Sequence, residues 1–342
     1  MNATPRALGY RMPAEWEPQE AIWLSWPHNE TTWPGALLSG VQQSYAEIIQ
    51  ALHRQQKIKL LVRDANAEAQ VRTFLDGFDI QLTQVVFLHI ASEDAWIRDY
   101  GPTFVVRAGG ELAMVKWTFN AWGDKYDDLL KDNRIPYELN RIEKLAMFEA
   151  GIVLEGGSIE VNGAGTVLTT EQCLLNVNRN PQLNRGNIEN YLKDYLGVSS
   201  VVWLNEGIVG DDTDGHIDDI ARFVNEDTVV CAFEDDPSDE NHALLQENYE
   251  LLKQTGFHVI KLPMPGFVGD NQGRLPASYA NFYIGNRAVV VPQFGHINDQ
   301  RALDILRDCF PGRRVVGVNC TAMVHGLGTI HCCSQQEPRR TP

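Results

Sequence analysis

The chain has 342 residues, 44% hydrophobic and 22% charged, the composition of a globular protein with a sizeable core and not of a disordered segment. Its 29 Lys and Arg stand against 45 Asp and Glu, a formal charge of −16. A field of that sign disfavours nucleic acid and anionic membrane as partners and attracts small cations.

No uninterrupted apolar run reaches membrane-spanning length, and residues 1–11 lack the apolar core of a secretory signal. A soluble, cytoplasmic protein is therefore expected. The six cysteines form no C-x-x-C pair, so reduced thiols are expected. No linker or shift in composition divides the chain, which reads as a single domain over residues 1–342. Whether it forms a homo-oligomer is left open.

In chain order, a helix is predicted over 41–54, followed by the strand K-I-K-L-L-V. A strand–turn–strand unit then recurs roughly every 60 residues. W-I-R-D-Y-G-P-T-F-V-V turns at Gly109-Gly110 into E-L-A-M-V-K-W, and G-G-S-I-E-V turns at Asn162-Gly163 into A-G-T-V-L-T-T. H-I-D-D-I-A-R-F-V turns at 225–227 into T-V-V-C-A-F, and Y-A-N-F-Y-I turns at Gly285-Asn286 into R-A-V-V-V-P. Asn-Gly and Gly-Asn between apolar runs are strong hairpin signals.

A helix and then an apolar strand lie between hairpins. Residues 187–196 place Ile188, Tyr191, Leu192 and Tyr195 on one helical face, ahead of V-V-W-L. Residues 239–254 carry Leu244, Leu245, Leu251 and Leu252 ahead of F-H-V-I-K-L, and Asp299 caps a helix to about 309 ahead of R-V-V-G-V. The unit is thus ββαβ. About five units fit the length, the one beginning near Trp23 closing against the C-terminal cysteine segment. Units this small cannot bury their own faces, so stacking around an axis is expected, with a doubly wound sheet as the alternative.

Four segments could carry chemistry. G-L-G-T-I-H-C-C-S-Q-Q (326–336) offers a glycine-flanked cysteine. Such a thiol is commonly a small buried hydrophobe, and it becomes a nucleophile only as thiolate. In G-H-I-D (215–218), read as a strand, His216 and Asp218 share one face. They could form a structural ion pair, or chelate a metal with Asp212, Asp214 or His331 completing the set. Asp99 in W-I-R-D precedes the Gly101-Pro102 turn, and Glu155 precedes Gly156-Gly157, where missing side chains permit close approach. Taken together, a thiol, a His, two Asp and a Glu would converge on the axis. Two carboxylates can grip a planar guanidinium, a thiolate can attack its carbon, and a His can protonate the departing ammonia.

Over nearly its whole length the chain resembles the agmatine deiminase/bacterial-type peptidylarginine deiminase family. The resemblance is carried by R-M-P-A-E-W-E-P-Q-E, W-L-S-W-P-H, D-A-W-I-R-D-Y-G-P-T, L-E-G-G-S-I, L-T-T-E-Q-C-L-L-N-V-N-R-N-P, G-H-I-D, S-Y-A-N-F-Y-I, P-Q-F-G and I-H-C-C-S-Q-Q. It implies an α/β fold, a pentein α/β-propeller of five ββαβ modules around a pseudo-fivefold axis. It further implies hydrolytic deimination of a small cationic guanidino substrate, agmatine first, with free or peptidyl arginine as rivals and no metal or organic cofactor. A non-catalytic binder of cationic ligands is the expectation from another class.

By the same resemblance Cys332 is the nucleophile and His216 the acid and base, with Glu155 orienting it. Asp99 and Asp218 hold the guanidinium, Trp96 walls the methylene chain, and Asp212 meets the far amine. Three departures from the family pattern stand out. Leu327 and Thr329 alter the wall beside the nucleophile, Asp214 adds a carboxylate available to a second cationic group, and Cys333 replaces an aliphatic residue. Neighbours in an extended segment face opposite ways, so Cys333 is expected to point away from the site.

Overall fold

The computed structural model describes residues 3–270 and 273–340. Among them, five three-stranded patterns repeat one topology: an antiparallel pair, then a parallel third strand. They are Thr103–Arg107, Glu111–Thr118 and Ala146–Val153; Glu160–Val161, Thr166–Thr170 and Ser200–Leu204; and Ala221–Asn225, Thr228–Phe233 and His258–Pro263. The fourth joins Tyr283–Ile284, Ala288–Gln293 and Arg314–Asn319. The fifth brings chain ends together, pairing Ser334–Pro338 with Gln19–Ser25 and then Lys57–Val62.

A parallel third strand requires a crossover, and each crossover carries a helix. These are Ile135–Glu143, Arg185–Leu196, His242–Lys253, Asp299–Cys309 and Ala36–Leu52. Runs such as Val289, Val290 and Val291 are fully buried, as strands covered on both faces must be. No helix among the described residues is long and apolar enough to cross a membrane.

Two local expectations change. Asp299 is the first helical residue, not the cap; Asn298 holds that position without a side-chain cap bond. The Asp299 carboxylate instead accepts from the backbone N–H of Phe294, Gly295 and His296, folding the preceding loop. More important for the site, the motif segments do not enter as strands. Ile97–Tyr100, Gly156–Ser158 and Ile217–Asp219 are single helical turns, and Cys332 lies in a turn just ahead of Ser334–Pro338. Local bonds such as Gly101 N–H to the Ile97 carbonyl (2.9 Å) satisfy backbone that a strand would have paired sideways. Functional side chains therefore sit on turns at the strand entrances, where backbone direction changes fastest.

Candidate active site

Cys332 is the reference point. Its Sγ accepts from the Asn281 side-chain amide at 3.1 Å and lies 3.8 Å from an Asp218 carboxylate oxygen. Asn281 also receives the backbone N–H of His331 (2.9 Å) and of Cys332 (3.3 Å) on its carbonyl oxygen, so one buried amide sets the cysteine turn. Cys333 points elsewhere: its Sγ bonds the Thr329 carbonyl at 3.0 Å. The opposed directions were expected, but the turn, not an extended strand, produces them.

Asp99 and His216 meet over a glycine. The Nδ1 of His216 is 3.8 Å from an Asp99 oxygen, and Asp99 accepts from the Gly157 N–H (2.9 Å) and the Trp122 indole (3.0 Å). A Cβ on Gly157 would stand 2.5 Å from the His216 ring and 2.8 Å from Asp99, so only glycine lets the three converge. Glu155 is fully buried and accepts from Arg179 Nε at 2.6 Å. Its other oxygen, both His216 ring nitrogens and one Asp218 oxygen have no hydrogen-bond partner among the described residues. Buried polar atoms are rarely left so, and four of them here mark a place built to receive donors and acceptors.

Asp218 is positioned from below. It accepts from His331 Nδ1 at 2.6 Å, and His331 Nε2 bonds Glu15 at 2.9 Å. Glu15 also takes Arg98 (3.3 Å), Arg222 (3.0 Å) and the Ile284 N–H (2.6 Å). Burial would raise the Glu15 carboxyl, but Arg222, His331 and Arg98 outweigh it and hold Glu15 ionised, well below the usual range.

Since 217–219 turns helically, His216 and Asp218 leave it in different directions. His216 groups with Glu155 and Cys173, whereas Asp218 groups with Asp219 and Cys332; within each trio, one donor atom per residue lies within 4.8 Å of the others. The chelate of His216 and Asp218 completed by Asp212, Asp214 or His331 does not assemble. Arg179 beside Glu155 also opposes a cation in the first trio.

The electrostatics follow from burial. Asp99 is pushed up to about 6, chiefly because it is desolvated. Burial alone would depress His216, but Asp99, Cys173 and Asp218 together outweigh it, and the imidazole ends well above its ordinary value. Burial and then the Asp218, Asp219 and Asp99 charges push the Cys332 thiol far up. A cation delivered between those carboxylates would offset their share of that opposition.

A cavity of about 220 Å³ opens above Cys332. Trp96 walls it, packed on Trp33 with ring centroids 5.2 Å apart, and Leu327 forms part of the rim. The acids Asp94, Asp99, Asp128 and Asp212 line it; among the described residues no lysine or arginine does. Asp212 lies at the half-buried rim, bonded by the Tyr126 hydroxyl and raised by desolvation. Two of the sequence departures behave otherwise than expected. Asp214 is occupied by Arg179 (2.7 Å), Lys125 (2.9 Å) and Asn178 (3.0 Å), so it is not available to a second cationic group. Thr329 faces inward and donates to Asn281 at 2.8 Å instead of walling the cavity.

With that geometry in hand, the chain matches the model of the Porphyromonas-type peptidyl-arginine deiminase family over residues 11–338. The protein belongs to this family. Among solved structures, an agmatine deiminase of Enterococcus faecalis is 35% identical with a TM-score of 0.91, covering 100% of this chain and 99% of that one. A C. jejuni agmatine deiminase with substrate bound is 34% identical, with a TM-score of 0.90 and 97% of each chain covered. A Legionella pneumophila (strain Paris) relative, provisionally named an agmatine deiminase, is 38% identical over 346 residues, covering 99% of this chain and 98% of its own.

Sequence reasoning assigned no role to Asn281, Glu15, Arg179, His331's support of Asp218, or Trp122. Glu15 and Asn281 stand in segments that carried the family resemblance, R-M-P-A-E-W and Y-A-N-F-Y-I. Their contacts span 316 and 51 residues along the chain, distances at which periodicity is silent.

Proposed function

We propose that the protein is an agmatine deiminase, hydrolysing agmatine to N-carbamoylputrescine and ammonia. The carrying observation is the cavity itself: a cysteine at its base, carboxylates from the reaction centre to the rim, and no lysine or arginine among its described lining residues, His325 being its one imidazole. Such a lining suits a dication and offers nothing to an α-carboxylate. Arg98, the basic residue of the W-I-R-D motif, is committed to Gln336, Glu15 and the His331 carbonyl.

In this reading the guanidinium docks between Asp99 and Asp218, with the methylene chain along Trp96 and the ammonium at Asp212. Its charge relieves the carboxylate field on Cys332, whose proton passes to solvent and leaves the thiolate. The sulfur attacks the guanidinium carbon, and the protonated His216 gives its proton to the departing nitrogen, releasing ammonia and leaving an S-alkylthiouronium. Neutral His216 then takes a proton from water as the hydroxyl adds to the same carbon, and collapse breaks the C–S bond with the hydroxyl proton passing to the departing sulfur, leaving the ureido product, the Cys332 thiol and protonated His216. Glu155, anchored by Arg179, orients the imidazole. The five repeated sheets are read as a pentein propeller, one domain over residues 1–342, with the site on its axis.

Comparing kcat/KM for agmatine, arginine and an arginyl peptide by ammonia release tests this. Agmatine should exceed the others by at least about a hundredfold, since an unpaired carboxylate in an acidic cavity is strongly disfavoured. A preference for arginine or the peptide would transfer the same chemistry to a citrulline-forming enzyme, and release from none would leave a binding protein.

A further inference from the structure

We infer that the segment 120–126 is a ruler between the two ends of the cavity, and that Trp122 and Tyr126 are positioning residues that set which length of aminoalkylguanidine is accepted. The inference rests on the agmatine reading above. Two bonds define it. The Trp122 indole donates to Asp99 at 3.0 Å, beside Cys332, while the Tyr126 hydroxyl donates to Asp212 at the rim. One carboxylate at each end of a guanidinium-and-ammonium dication is thus tied to side chains four residues apart.

The spacer between them is unusually stiff. Ala121, Trp122, Gly123 and Asp124 all have left-handed φ, at 50°, 56°, 94° and 59°. Residues with side chains persist there only when their surroundings over-determine the backbone. Asn120 supplies part of that constraint, accepting from the Gly123 N–H (2.9 Å) and donating to the Asn178 carbonyl (2.9 Å). Asn178 and Arg179 press on the turn so closely that a Cβ at Gly123 would meet them at 2.3 and 2.9 Å. Beyond the turn, Lys125 bonds Asp214 at 2.9 Å, and Trp122 meets Phe119 and Tyr126 edge-on with centroids 5.2 and 5.8 Å apart. A stiff tether at both carboxylates fixes their separation, so a substrate one methylene too long or short can satisfy one end only.

The test is a series of α,ω-aminoalkylguanidines one methylene shorter than agmatine, agmatine itself and one longer, with butylguanidine as the probe lacking the amine. Wild-type turnover should peak at one length. Tyr126→Phe should lower kcat/KM for that substrate about tenfold or more, through KM, and flatten the length preference, while butylguanidine turnover is unchanged; this is the size of effect expected for losing a hydrogen bond to a charged group. Trp122→Phe should instead lower kcat for agmatine and butylguanidine alike. Equal losses on both probes in Tyr126→Phe, or an unflattened length profile, would overturn the ruler while wild-type agmatine turnover keeps the functional reading intact. Absence of wild-type turnover on agmatine would sink the functional reading itself.

Discussion

The closed end of the cavity and its rim are built on different principles. At and beneath the closed end, Asp99, Glu155, His216 and Asp218 are almost completely buried at the entry turns of strands, and Asp99, Glu155 and Asp218 accept from Gly157, Arg179 and His331, all distant in the chain. At the rim, Asp128 on the 3-10 turn Asp127–Arg134 is exposed, and Asp212 on an irregular loop is half-buried and accepts from the Tyr126 hydroxyl. Burial at the closed end makes every charge there strong and its protonation state abnormal. The rim, being wetter, can discriminate between substrates without disturbing the reaction centre. Reaction type and substrate choice are therefore separable in this molecule.

The sharpest way to break that contrast is at the cysteines. Cys332→Ser should abolish ammonia release, whereas Cys333→Ser, whose thiol bonds the Thr329 carbonyl and does not line the cavity, should retain activity within about threefold. Activity surviving the first and lost in the second would reverse the assignment. Glu155→Gln comes next: it keeps the shape but weakens the anchor beside His216, and kcat should fall about 10²- to 10⁴-fold with KM little changed. A loss confined to KM would place Glu155 in binding instead.

A smaller effect concerns pH. In the proposed binding mode Asp99 holds the guanidinium as a carboxylate, and burial pushes it up to about 6. kcat/KM should therefore fall as pH drops through about 6, where an unperturbed aspartate would hold activity down to about 4. Trp122→Phe removes a bond that favours the charged form and should move this limb upward; a limb near 4 in the wild type would contradict the burial argument. The smallest expected change is at the rim. Leu327 has φ 67°, so Leu327→Gly relieves backbone strain while stripping part of the wall. KM for agmatine should rise severalfold with kcat and thermal stability maintained, measured by steady-state kinetics and a melting curve.

Much of the fold was legible because it is local. Asn-Gly and Gly-Asn turns marked the hairpins, and the helix at Arg185–Leu196 began at Asn184, whose side chain forms a capping box with Asn187. The strand entrances were not legible as turns. W-I-R-D and G-H-I-D alternate like strands, and what makes them turn is a buried polar floor supplied by residues from other repeats. Site residues could be named from chemistry and resemblance, but their partners could not. Nothing near Asp218 in the chain points to His331, and Asp214 read as a free carboxylate because Arg179, Lys125 and Asn178 are joined to it only by folding.

The pairing of Ser334–Pro338 with Gln19–Ser25 has a consequence for how the protein comes into being. During synthesis the early strand waits beside its neighbour Lys57–Val62, one edge unpaired, until about 270 further residues have been added. The nascent protein thus carries an open seam for most of its time on the ribosome. That seam closes with the same few residues that bring in Cys332, the proposed nucleophile, so a shortened translation product would lack that thiol as well as the closure.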